Sequence, residues 1–155
     1  MSANTLRCLG LICLGLLASA TSSQGRLNET FDEIRARYGY VDHIDYQPRA
    51  DYPLYIFQKD GIAIGVRFID GKSAQEIYTT SGPVADFGAS DLLAANAQGS
   101  RWLELTVGKS ESYQRADGRA TAEYMRSSKT SKDPAVLVIQ TSQFNELVNA
   151  PGLGF

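Results

Sequence analysis

The chain has 155 residues, 15 Lys and Arg against 17 Asp and Glu, and a formal charge of −2. A chain of that length can bury a real core as one domain. Its mildly acidic balance, with basic residues scattered rather than clustered, excludes the basic face of a nucleic-acid binder and the polybasic patch of a protein held on anionic membranes.

The first twenty residues read as a secretory signal peptide. Arg7 lies in a short polar start, Leu9 to Leu17 are almost wholly apolar, and Ala18-Ser19-Ala20 supplies the small-x-small pattern that a signal peptidase cuts. That apolar run is about nine residues, far short of the roughly 20 that span a bilayer as a helix. The expectation is cleavage before Thr21, a periplasmic or secreted protein, and no stable membrane anchor afterwards. Lipidation is the weaker reading, because Cys8 follows Arg7 and Cys13 follows Ile12, where a lipobox wants a small residue. Both cysteines fall in this segment, so the remainder (155 less 20, or 135 residues) has no disulfide, thiolate metal site or thiol nucleophile. It keeps 14 basic and 17 acidic residues, since Arg7 is the only charge removed.

Residues 21–26 read as a flexible leader, 27–150 as a single domain, and 151–155 as a loose tail with two glycines. Leu27, Phe31, Ile34 and Tyr38 recur at helical spacing. Thr30 and Glu33 have capping-box spacing, with Asn28 a competing N-cap. Arg35 and Arg37 suit the C-terminal end of the dipole, and Gly39 the stop. Residues 40–51 read as a polar connection. From Tyr52 to Thr80 the pattern is an antiparallel meander, because Asp60-Gly61 and Asp70-Gly71 are favoured two-residue hairpin loops. Such loops fix a register that places Ile64 opposite Phe57 and Ile77, Val66 opposite Tyr55 and Gln75, and Phe68 opposite Pro53 and Ser73. Tyr55, Phe57, Ile62, Ile64, Val66, Phe68 and Ile77 then share the core face. Ala63, Gly65, Arg67, Ala74, Glu76 and Tyr78 fall on the reverse, together with Leu54, Ile56 and Ile69.

A second helix is expected from near Asp86 or Ser90 to Asn96, closed by Gly99. Strands follow at Trp102–Val107 and Ala135–Gln140, and Asp117-Gly118 marks a hairpin between them. Thr141 or Ser142 caps a short last helix carrying Phe144, Leu147 and Val148. The expected class is α+β, with antiparallel meanders, helices on one face, and a hint of two helix-plus-meander units in tandem.

Glu29 to Ile34 leading into Arg37-Tyr38-Gly39 resembles the opening of uncharacterised small secreted bacterial proteins. Lys59–Ile62, Phe68–Lys72, Leu92–Asn96 and Gly99–Trp102 extend that resemblance over about two-thirds of the chain after the leader. No activity comes with it. A looser likeness, in element order, is to the fold of β-lactamase-inhibitor proteins and of the SmpA/OmlA outer-membrane lipoproteins. This chain departs from the latter in lacking a lipobox cysteine, and fold likeness is a weak warrant for function.

No catalytic constellation stands out. Asp42-His43-Ile44-Asp45 holds the one histidine between carboxylates, which would suit a general base or part of a metal set. A lone histidine leaves oxygen donors to complete any site, and a solvated loop residue is the simpler reading. No serine has a Gly-x-Ser-x-Gly context, and no Gly-rich phosphate loop is present. Glu29, Asp32 and Glu33 fit a helix first turn better than a catalytic pair. The aromatic set Tyr38, Tyr40, Tyr46, Tyr52 and Tyr55, interleaved with Arg35, Arg37 and Arg49, has the composition of a protein interface. The simpler reading puts Tyr38 and Tyr55 in the core and the others on a loop or edge strand. The expectation is a non-enzymatic module binding a protein partner in the cell envelope, without metal or cofactor. It would bind through the Tyr/Arg-rich 38–55 region, with Tyr40, Tyr46, Tyr52, Arg37 and Arg49 as candidate contacts, or through the reverse face of the first meander. The alternatives are a hydrolase built on Asp42, His43 and Asp45, and a small-ligand carrier with a cleft between helices and sheet.

Overall fold

The computed structural model describes residues 26–47, 49–80, 87–106, 110–127 and 133–149. The expected signal peptide, the leader up to residue 25 and the tail 151–155 lie outside the described residues.

The order is α1 (Phe31–Tyr38), β1 (His43–Asp45), β2 (Leu54–Lys59), β3 (Ile62–Ile69), β4 (Lys72–Thr80), α2 (Ala89–Ala95), β5 (Trp102–Thr106), β6 (Ser110–Arg115), β7 (Ala120–Met125), β8 (Val136–Thr141) and α3 (Ser142–Asn149). All eight strands form one antiparallel sheet in the order β1-β2-β3-β4-β8-β7-β6-β5. A helix and four strands are thus followed by a second helix and four strands, and the halves meet through β4 and β8. The class is α+β.

Local chemistry sets α1. Thr30 and Glu33 form the complete capping box, each side chain bonding the other's backbone N–H. That exchange, through the Thr30 backbone N–H first, holds the Glu33 carboxyl below its ordinary range. Gly39 closes the helix at φ 92°, where a side chain would be strained. Asn28 is not the cap. It turns the chain at φ 69° and donates from its backbone to Ser73 O.

The two Asp-Gly loops are type I′ turns, with both residues at positive φ (51° and 77°, then 50° and 73°). The β2–β3 register is the expected one: Phe57 faces Ile64 and Tyr55 faces Val66. The β3–β4 register is not. It starts as expected, with Phe68 opposite Ser73, then slips at Arg67/Phe68 so that Ala74 is extra. Beyond that bulge Ile64 faces Tyr78 and Val66 faces Glu76. One additional residue exchanges the faces of a strand, so Glu76 and Tyr78 enter the core while Ile77 moves to the reverse face.

Residues 40–51 also differ from expectation, since His43–Asp45 pair with β2 as a short edge strand. The third hairpin spans Ala116–Arg119 rather than two residues, with Gly118 at φ 71° bonded back to Arg115 O.

The main core lies under α1 and α2. Ile34, Tyr38, Leu92 and Leu93 cover Phe57, Ile64, Val66, Tyr78, Tyr124, Leu137 and Ile139. Buried Asn96 joins the two halves, accepting from Leu27 N at 2.8 Å and donating to Leu92 O at 3.0 Å. Trp102 is half-buried, its Nε1 donating to Leu93 O at 2.6 Å. The expectation of helices on one face fails for α3. Phe144, Leu147 and Val148 pack on Ile69, Ala74 and Tyr52 from the reverse side, where Ala74 was expected.

Candidate functional site

The bulge in β4 places a carboxyl where an apolar side chain is usual. Glu76 is fully buried, facing Val66 on β3 and Ile139 on β8 beneath α1. Tyr78 donates its hydroxyl to Glu76 Oε2, and Tyr38 on α1 meets Tyr78 hydroxyl to hydroxyl at 3.1 Å. Glu76 Oε1 has no hydrogen-bond partner. Burial pushes the Glu76 carboxyl up to about 7; the Tyr78 bond opposes this, Glu29 adds to it, and Arg37 opposes it. Burial, then the charge of Glu76, pushes both tyrosine hydroxyls well above their usual range. With Glu76 ionised, both hydroxyls can donate toward it in series. With Glu76 protonated the direction can reverse, the carboxyl donating to Tyr78 and Tyr78 to Tyr38, while both hydroxyls keep their protons.

Tyr38 and Tyr78 lie at the bottom of a cleft of about 190 Å³ between the C-terminal end of α1, the β2–β3 turn and the start of α2. Ile62, Ile64, Phe87 and Leu92 supply apolar walls, and Lys59, Asp60 and Asp91 the charges. Lys59 Nζ donates to Arg37 O at 2.8 Å, at the electronegative end of α1.

The residues expected to form a Tyr/Arg contact surface do not gather in one place. Tyr40 is 83% and Tyr46 57% exposed, and Arg35 lies over the Tyr40 ring, 5.2 Å from its centroid. Arg37 is half-buried and paired with Glu29. Tyr52 packs edge-on against Phe144, and Arg49 donates to Val148 O at 3.1 Å. These three hold helices and loops in place. His43 is exposed, with Nδ1 2.8 Å from Asp42 Oδ2, and Asp45 accepts from Gln47 N in a local turn. Among the described residues no group of three or more His, Cys, Asp or Glu is arranged to hold a metal ion.

The reverse side of the sheet offers the larger surface. Register places Leu103, Ser112, Thr121, Glu123, Met125, Val136, Val138 and Ile77 there, and α3 covers only the end near Ile69 and Ala74. Leu105, displaced by a second bulge in β5, joins this surface beside Ser112 and Val138. Leu103, Leu105 and Met125 are 38%, 61% and 42% exposed. Among the described residues of β5–β8, Glu123 is the one charge on this face. The sequence reading offered the reverse face of the first meander but not its continuation over β5–β8, because it paired only the first meander. Alternation in Thr121-Ala122-Glu123-Tyr124-Met125 and Val136 to Gln140 is the signal that could have located it.

No family model matches the chain, and neither does any curated protein. Among solved structures, a cysteine-rich secretory protein from Staphylococcus aureus subsp. aureus Mu50 is similar at a TM-score of 0.44 and 12% identity, over 76% of this chain and 45% of that one. The chain therefore spans less than half the length of that protein.

Proposed function

We propose that this chain is a non-enzymatic, exported protein-binding module that engages its partner through the uncovered face of its sheet. The observation that carries the reading is the exposure of Leu103, Leu105 and Met125 on one face that no described helix shields. Isolated apolar residues on a surface are ordinary, whereas a contiguous apolar field with polar borders marks an interaction site. Here Ile77, Val136 and Val138 share the face with the three exposed residues, and Ser112, Thr121 and Glu123 lie among them. That mixture, apolar and polar with Glu123 its one charge among the described residues of β5–β8, suits a protein partner better than a nucleic acid or an anionic lipid surface. Export rests on residues 1–20, with the periplasm or the exterior as destination. The repeated helix-then-four-strands order supports two helix-plus-meander units in tandem sharing one sheet.

The test is site-specific photo-crosslinking in the source organism, using the full chain with its own leader. A photoreactive residue replaces Leu105 in one strain and Tyr40 in another. The expected result is one discrete cross-linked protein from position 105, lost when Met125→Glu is added while the melting temperature holds. Cross-links from position 40 alone would move the interface to the Tyr40–Tyr46 region. Silence at both positions would remove the binding-module reading.

A further inference from the structure

We propose that the cleft between α1, the β2–β3 turn and α2 is a binding site for a small primary amine with an apolar body. This inference does not depend on the sheet face, which lies on the opposite side of the molecule.

Size comes first. The cleft of about 190 Å³ is close to the roughly 150 Å³ of a cavity that takes up a single benzene ring. It therefore suits a ligand with one ring or a short branched chain. Its walls select an apolar body: Ile62, Ile64 and Leu92 are aliphatic, and Tyr38, Tyr78 and Phe87 present aromatic rings. Phe87 is held edge-on by Tyr124, with centroids 5.8 Å apart, so that wall is fixed before a ligand arrives.

The charges at the mouth then choose the sign of the polar end. Asp60 and Asp91 line the cleft and neither has an ion-pair partner among the described residues. Asp91 Oδ2 stands close over the bare backbone of Gly88, 3.4 Å from where a Cβ would be. Lys59 is held on Arg37 O and keeps its positive charge, so the lining carries two carboxylates against one ammonium and is net negative. An anionic ligand would meet two unpaired carboxylates, whereas an ammonium gains from both and from the neighbouring ring faces.

The deciding experiment is an NMR titration of the uniformly labelled protein, following the Gly61 and Gly88 amides. Three probes of one shape are compared: phenethylamine, phenethyl alcohol and 3-phenylpropionate. Phenethylamine is expected to shift both amides with a dissociation constant on the order of a millimolar, the range open to so small a ligand. The carboxylate should bind at least about tenfold more weakly. Asp60→Asn, which the type I′ turn accepts equally well, combined with Asp91→Asn should reduce the amine to the affinity of the alcohol. Phe87→Ala should weaken the amine and the alcohol alike. The proposal is overturned if 3-phenylpropionate binds as tightly as the amine, if the double Asn variant keeps the amine's advantage, or if phenethylamine moves neither amide at about 10 mM.

Discussion

Tyr78 donates a hydrogen bond to Glu76 from two residues along the same strand, and the pair is buried in a core that is otherwise apolar around it. A carboxyl in that position is neutral or costly according to pH. The fold and the ionisation of one residue are therefore linked.

The linkage has a definite sign. Burial raises the Glu76 carboxyl from 4.5 in the unfolded chain to about 7 in the fold. Its contribution is fully present below about pH 4.5 and is lost as pH rises through 7. The whole interval corresponds to about 3 kcal/mol as an order of magnitude. Chemical denaturation between pH 5 and pH 9 should show stability falling across neutrality. Glu76→Gln keeps an acceptor for Tyr78 and cannot ionise. It should flatten that fall, giving a variant close to or below the wild type at pH 5 and above it at pH 9. Parallel profiles for the two proteins would show that Glu76 does not titrate in the fold.

Deleting Ala74 tests what the bulge does. Without the extra residue, Gln75 follows Ser73 directly in a regular ladder, so Glu76 still faces Val66 and Tyr78 still faces Ile64, and Ile77 stays on the reverse face. The change removes the small residue on which Phe144 packs and leaves the Tyr78–Tyr38 contact on the core face in place. The expected outcome is a loss of about 2 kcal/mol, within the usual range of destabilising single changes, felt first where α3 packs on the sheet. Unchanged stability would mean that the bulge is incidental to the fold.

The same bulge marks the boundary of what the sequence could tell. α1 was legible because its determinants are local: Thr30, Glu33, the Ile34–Tyr38 stripe and Gly39 act within three turns. The first hairpin was legible because Asp60-Gly61 admits one turn type and hence one register. The register of β4 beyond Ala74 depends on partners distant in sequence. Phe144 lies 70 residues away from Ala74, and the choice between Ile77 and Tyr78 for the core follows from what α1 places above them. The continuation of the reverse face over β5–β8 was hidden for the same reason, since β8 reaches β4 only after the whole second meander has been laid down. Of the expected contact residues, Tyr40 and Tyr46 are exposed, but composition could not foresee that Arg37, Arg49 and Tyr52 are engaged by Glu29, Val148 and Phe144.

Asn96 should be one of the most sensitive positions outside the apolar core. Its side chain accepts from the buried Leu27 N–H and donates to Leu92 O, so Asn96→Ala leaves a buried donor without its acceptor. A loss of about 2 kcal/mol is expected, the cost of stranding such a group. Hydrogen exchange should quicken first at Leu27 and Asn28, where the chain enters the core. A uniform change across all strands would instead make Asn96 a general packing residue.

Phe144→Ala separates the reverse-face helix from the rest. The ring is 2% exposed and packs on Ile69, Ala74 and Tyr52, so truncation should cost about 3 kcal/mol. Because α3 draws its packing from this second cluster and not from the core under α1 and α2, the loss should appear unevenly. Amides of residues 142–149 should exchange at least about tenfold faster, the signature of local opening, while Phe57, Ile64 and Leu137 stay protected. Freed of α3, more of the sheet face is uncovered, and a probe of exposed apolar surface such as ANS should bind more strongly. Equal acceleration of exchange in the helix and in β2–β4 would show instead that both clusters open as one unit.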